Sequence, residues 1–213
     1  MTVTKTTLAS CVTAANQAMG DLEQTLNAAD ARLGDGDTGT MLARLFTSLA
    51  QTNLEQTEDI GMAFSTLAKA AAVSTGSSLG TLVATALLTI GKETRGRESL
   101  EDDDMPILLN KAMDAMMARG KAALGDKTIL DSLDAIIKSL TTEPTLGAAA
   151  VGAAQALDNF RDKPNRIGRA RMFGDKTIGI DDPGMLAVAM LSRHLAQNQQ
   201  PTEHQAMIFG RNP

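Results

Sequence analysis

Apolar positions recur at three- and four-residue spacing through most of the chain, the period of a helix with one buried face. Leu8, Cys11, Ala15, Ala18, Leu22, Leu26 and Ala29 form one stripe and predict a first helix. Met41, Leu42, Leu45, Phe46 and Leu49 predict a second; Ile60, Ala63, Leu67 and Ala71 predict a third. A fourth carries Leu82, Val83, Ala86, Leu87 and Ile90, with Ser77 and Ser78 placed to cap it, because a serine oxygen accepts from first-turn amides. Pro106, a favoured first-turn residue, follows the acidic run at residues 101–104 and introduces a fifth helix burying Leu108, Leu109, Ala112, Met113 and Met116. Ile129, Leu130, Leu133, Ile136, Ile137 and Leu140 mark the sixth. Pro144 is expected to open a seventh, alanine-rich helix reaching about Phe160. Asp182-Pro183-Gly184 reads as an N-cap and first-turn proline for an eighth, which would bury Leu186, Ala189 and Leu195.

Most connections between these helices are short, and short links force neighbours to run antiparallel. The expected fold is all-α: one domain over residues 1–196, an eight-helix up-and-down barrel or bundle, followed by a polar tail at 197–213. No segment alternates as a strand does, and no fixed repeat period is present. Residues 161–181 break the pattern. They lose helical periodicity and are dense in Arg, Lys, Gly and Asp, as in a long functional loop or a disordered one.

Composition supports the helical reading, since Phe is the only aromatic, five times, while Ala, Leu and Met abound. A net charge of −5 argues against a nucleic-acid partner, which needs a basic face. Cys11 is the single cysteine and has no internal disulfide partner, so the cytoplasm is the expected compartment. The N-terminus lacks a basic start and a continuous apolar core, and the uncharged stretch at 70–90 is interrupted by Ser, Thr and Gly, so no membrane span is expected.

Three segments and the long loop carry candidate chemistry. Asp30, Asp35 and Asp37 cluster around Gly34, Gly36 and Gly39 between the first two helices. Carboxylates held close repel one another, and a divalent cation is the natural compensation. A solvated Asp/Gly turn and a calcium loop are the alternatives; an EF-hand lacks its twelfth-position glutamate, since that place is Phe46 counted from Asp35 and Ser48 counted from Asp37. The Gly/Ser segment at 74–81 sits at a helix start, where amides reach a phosphate, but lacks the lysine and spacing of a P-loop. Gly120 and residues 125–129 form a third glycine-punctuated loop, with Asp126 or Thr128 as its cap. In the fourth, residues 168–184, arginines suit phosphate oxygens and glycines permit closure over a ligand. Each of the last three also reads as a capped or solvated turn.

Taken together and in this order, these motifs resemble the L subunits of dihydroxyacetone kinases and the matching nucleotide domain of single-chain ATP-dependent enzymes, from about Thr6 to Leu195. The resemblance implies an eight-helix antiparallel barrel with nucleotide at one end. It implies that Asp30, Asp35 and Asp37 ligate two Mg²⁺ ions, and that Thr38, Gly39, Thr40 and Met41 lie along ADP or ATP. Ser77 and Ser78 would contact phosphates, Gly120 and Ile129 would line the adenine pocket, Arg169 would reach the phosphates from a lid, and Asp182, Pro183 and Gly184 would complete the site. Thr38 stands where these subunits usually carry histidine, and the local string is closer to fatty-acid-kinase nucleotide domains, which leaves the acceptor open.

The family holds its substrate through a histidine of another domain, whereas His194 and His204 here read as helix-end and tail residues. The resemblance therefore implies a kinase subunit acting with a separate K-type substrate subunit. It uses either exchangeable ATP or a bound ADP rephosphorylated by a phosphotransferase-system phosphocarrier. A non-catalytic nucleotide-sensing adaptor is the alternative of another class, and a calcium-binding helical protein a third.

Overall fold

The computed structural model describes residues 2–198. The eight α-helices among the described residues are α1 (Lys5–Asp30), α2 (Thr38–Ala50), α3 (Ile60–Ser74), α4 (Ser78–Glu93), α5 (Asp104–Gly120), α6 (Ile129–Thr142), α7 (Leu146–Arg161) and α8 (Pro183–Asn198), with a 3-10 helix at Ala170–Thr177. Each packs on its sequence neighbours, and α8 returns against α1, so the ring closes as an antiparallel barrel. Among the described residues there is no sheet, only a lone bridge of Val3 with Leu100. None of these helices is long and apolar enough to cross a membrane.

The helix starts follow cap chemistry. Ser77 accepts from the amide of Gly80, as expected, and Thr128 rather than Asp126 caps α6 by accepting from Leu130. Pro144 does not open α7: Thr145 is the N-cap, its hydroxyl accepting from Ala148, and the helix begins at Leu146. A proline lacks both the N–H and a side-chain acceptor, so the neighbouring threonine takes the cap. α8 runs to Asn198, so the expected boundary at 196 falls inside it; the rest of the expected tail, with His204, lies outside the described residues.

The apolar stripes meet largely as the periodicity requires, although Leu109, Leu133 and Leu140, expected to be buried, are half-buried at the margins of the core. Leu26, Leu45, Leu67, Ala71 and Ala187 join α1, α2, α3 and α8, while Ile136, Ala153, Met185 and Ala189 join α6, α7 and α8. Ile60, Phe64, Ile90, Leu100 and Leu108 fill the lower end, and Met113, Met116, Ile129 and Ile137 fill the α5–α6 side. Burying each of the larger of these side chains contributes roughly 1.5–3 kcal/mol. In α8, Ala189 is buried as expected, but Leu186 and Leu195 are half-buried and Met185 takes the innermost position.

Antiparallel order puts alternate connections at alternate ends. The connections 31–37, 75–77, 121–128 and 162–182 therefore share one end, and these four hold the four motifs.

Candidate functional site

At that end, Asp30 closes α1, and Asp35 and Asp37 lie in the turn into α2. Each offers one oxygen, and these oxygens all lie within 4.8 Å of one another. Asp30 is half-buried and organises the turn: its Oδ2 accepts from the amides of Gly36 (2.9 Å), Asp37 (3.0 Å) and Thr38 (3.4 Å). One carboxylate thus caps the start of α2, since Asp37, the residue at the N-cap position, makes no side-chain cap bond. Asp35 pairs with Arg169 from the 162–182 connection. That guanidinium, by hydrogen bond first, holds the Asp35 carboxyl below the usual carboxylate range, and the carboxylate pushes Arg169 up in turn.

Three hard oxygen donors facing outward suit Mg²⁺, which takes a few carboxylates and completes its shell with water and phosphate oxygens. The EF-hand alternative fails on geometry: α2 starts at Thr38, so Phe46 and Ser48 are helical and no twelve-residue loop exists.

Thr38, Gly39, Thr40 and Met41 make the first turn of α2. Gly39 is required by close approach, because a β-carbon there would lie 2.1 Å from the carbonyl oxygen of Glu23 on α1. Thr40 donates its amide to Asn27 Oδ1 (3.0 Å) and its hydroxyl to Glu23 Oε1 (2.7 Å), and accepts from Asn27 Nδ2 (2.9 Å). Met41 is buried in the core, so a contact from it to a ligand would come from its backbone. The supporting pair Glu23 and Asn27 was missed in the sequence, although their spacing to Asp30 places all three on one face of α1.

Ser77 caps α4, with Thr75 Oγ1 3.1 Å from its hydroxyl, and Ser78 is the first residue of that helix. Gly120 ends α5, where a β-carbon would meet Leu82 of α4 at 3.3 Å. Ile129 begins α6, and a β-carbon on Gly184 would lie 2.9 Å from its Cγ2, so the first turns of α6 and α8 touch. Asp182 accepts from the amide of Met185 (3.0 Å) and from Asn165 Nδ2 (2.8 Å), and burial pushes its carboxyl up to about 6. Every predicted site residue therefore lies at the same end of the barrel. His194 lies on the last turns of α8, at the other end. A cleft of about 450 Å³ at that far end, lined by Glu143, Thr145 and Arg193 among others, gathers no carboxylate cluster among the described residues.

The connection 162–182 is more ordered than its composition suggests. It contains the 3-10 helix and is tied down by Lys127, whose ammonium donates to the carbonyls of Arg161, Lys163 and Thr177. Burial lowers the Lys127 pKa. No local pattern announces this residue, because its partners lie in a distant stretch of sequence.

Residues 32–197 match the DAK2 domain family. The chain is 31% identical over 191 residues to the L-erythrulose 1-kinase of Mycolicibacterium smegmatis, covering 85% of this chain but about a third, 34%, of that protein. It is 26% identical over 205 residues to the ADP-binding subunit of the PEP-dependent dihydroxyacetone kinase of Escherichia coli, covering 92% of this chain and 98% of that protein. The dihydroxyacetone kinase of Citrobacter freundii superposes with TM-score 0.70 in its native form, at 26% identity over 91% of this chain and 34% of that one. Its complex with AMP-PNP and Mg²⁺ superposes with TM-score 0.71, covering 93% and 35%. With the family matched over most of its length and the barrel shared with a solved relative, the chain belongs to the DAK2-domain family.

Proposed function

We propose that this chain is the nucleotide- and Mg²⁺-binding subunit of a dihydroxyacetone kinase, or of a kinase for a closely related small keto-sugar, and that a separate K-type subunit holds the acceptor. The observation that carries this reading is the cluster of Asp30, Asp35 and Asp37 within 4.8 Å at the end where the four connections gather. The names of the relatives support it: one is an ADP-binding subunit, and another phosphorylates erythrulose. The solved complex of a relative with AMP-PNP and Mg²⁺ supports the nucleotide and the metal.

In this reading Asp30, Asp35 and Asp37 hold two Mg²⁺ ions, which when bound neutralise charge on the transferred phosphoryl group. The chain's own groups then position the nucleotide. Thr38 and Gly39 at the start of α2 and Ser77 and Ser78 at the start of α4 lie along the phosphates, as helix N-termini favour anions, while Thr40, its amide and hydroxyl engaged by Asn27 and Glu23, fixes the α2 turn behind them. Gly120 and Ile129 flank the adenine, Gly184 and Pro183 close that side under the Asp182 cap, and Arg169 leaves Asp35 to reach a phosphate oxygen.

The test is reconstitution: the chain with Mg²⁺, ATP or a PEP-driven phosphocarrier relay, candidate K-type subunits, and dihydroxyacetone or erythrulose. Phosphorylated product that requires both subunits is the expected result. Absence of transfer with every such partner, alongside tight nucleotide binding, would instead assign the chain to the nucleotide-sensing adaptor class. Dilution of the ADP complex separates the two kinase variants, because rapid loss of ADP is incompatible with a fixed cofactor.

A further inference from the structure

Lys127 is 1% exposed, yet it pairs with no carboxylate within salt-bridge distance among the described residues. Its backbone sits at φ 63°, a left-handed conformation that lysine seldom adopts. A buried ammonium in a strained backbone is costly unless its three protons are all used, and here they are. They go to the carbonyl oxygens of Arg161 (3.0 Å), Lys163 (2.8 Å) and Thr177 (2.9 Å).

Those three carbonyls belong to both stems of the 162–182 connection: Arg161 and Lys163 lead in, and Thr177 leads out. Other bonds reinforce the same joint. Asn165 donates its side-chain amide to the Lys127 carbonyl (3.1 Å) and to Asp182 (2.8 Å), and its backbone amide to Thr177 Oγ1 (2.8 Å). Arg166 donates to the carbonyl of Asp126 (3.1 Å), and Gly179 to that of Arg161 (2.9 Å). Residues 168–174 take part in none of these bonds. They are bracketed by Gly168 at φ 71° and Gly174 at φ 54°, Ala170 alone of them is buried, and at their end the Gly174 carbonyl accepts from Thr177 Oγ1 (2.8 Å). Within this stretch Arg169 makes a salt bridge to Asp35.

We propose that Lys127 is a positioning residue that locks both stems of the lid to the loop leading into α6. Only residues 168–174 then move when nucleotide enters or leaves, carrying Arg169 between Asp35 and a phosphate. The lock fixes the lid to the element that begins with Ile129, so the phosphate-side arginine is referenced to the adenine side. This inference rests on the nucleotide reading above, and its first test is independent of that reading.

Hydrogen exchange of the wild-type chain without ligand is that first test. The amides of Asn165, Arg166 and Gly179 should exchange as slowly as those of Leu130 and Asp131, while residues 170–173 exchange much faster; equal exchange across 162–182 would overturn the lock. With ADP and Mg²⁺, added protection in the lid should be confined to 168–174, and a gain along both stems would also overturn it. Failure to bind ADP, with the ligand-free pattern intact, would count against the nucleotide reading alone.

The variant Lys127→Met keeps the stem's bulk and removes the ammonium. It should speed ADP dissociation about tenfold, the loss of roughly one charged hydrogen bond's worth of restraint, with Mn²⁺ binding in the absence of nucleotide unchanged. Phe64→Ala, a core change at the opposite end, controls for stability and should leave the dissociation rate within about twofold, as distant sites act independently. A Lys127→Met chain with a lowered melting temperature but a wild-type ADP dissociation rate would reduce the residue to a structural role and overturn the proposal.

Discussion

Asp30 is a ligand candidate that also builds the loop, and replacing it separates these two jobs from the single job of Asp37. Two short hydrogen bonds, from the amides of Gly36 and Asp37 at 2.9 and 3.0 Å, and a longer one from Thr38 at 3.4 Å, end on Asp30 Oδ2. Each short bond in a half-exposed loop contributes about 0.5–1.5 kcal/mol net, and a negative charge at the start of α2 adds about 0.3–1 kcal/mol. Relief of repulsion in the acidic cluster offsets part of this, so Asp30→Ala should cost about 1–2 kcal/mol without divalent ions. For a chain of this size that is a fall of about 2–8 °C in melting temperature. Asp37→Ala relieves the same repulsion and removes no bond to the first turn of α2. Its melting temperature in chelator should therefore hold or rise, while both variants lose nucleotide affinity in Mg²⁺. The assay is thermal unfolding by circular dichroism in chelator, beside ADP titration in Mg²⁺. Equal destabilisation of the two variants in chelator would refute the assignment of the capping role to Asp30 alone.

Three further outcomes follow from the same geometry. Arg169→Met should weaken Mg²⁺–ADP binding about tenfold, as loss of an arginine–phosphate contact implies, and leave the melting temperature unchanged, because exposed ion pairs add little stability. Gly39→Ala drives a methyl group against the Glu23 carbonyl and should cost about 3 kcal/mol, read from urea unfolding; an unchanged midpoint would contradict the tight α1–α2 crossing. Asp182 stays protonated in the folded chain up to about pH 6, whereas an unfolded aspartate ionises near about 3.9. Its contribution to stability is therefore fully present below about pH 4 and is lost as pH rises through 6. Against Asp182→Asn, which does not titrate, wild-type stability should drop by about 1–3 kcal/mol between pH 4 and 7, and a constant difference would contradict the buried carboxyl.

What the sequence made legible was local. The eight helices marked by stripes of Leu, Ala and Met, the Ser77 cap and the Asp182-Pro183 start all depend on residues within one or two helical turns, and these elements reappear in the structure, although the stripe of α8 turns so that Met185 rather than Leu186 is innermost. Placing the motifs at one end needed only the antiparallel order of the helices. The connection 162–182 was opaque because its order comes from Lys127, whose bonds reach 34 to 50 residues away. The Glu23–Asn27–Thr40 network was likewise hidden by its crossing between two helices, although the spacing of Glu23, Asn27 and Asp30 was visible. Pro144 misled because a first-turn proline preference is weaker than a threonine able to cap.

The central claim is that the end of the barrel carrying Asp30, Asp35 and Asp37 binds nucleotide through divalent ions. Calorimetric titration of ADP into the purified chain, first freed of co-purified nucleotide, with Mg²⁺, after chelation, and with Asp37→Asn tests it most directly. Tight binding that requires Mg²⁺ and is lost in the variant is the predicted result. Binding of equal strength in chelator, or none in any condition, would contradict the account.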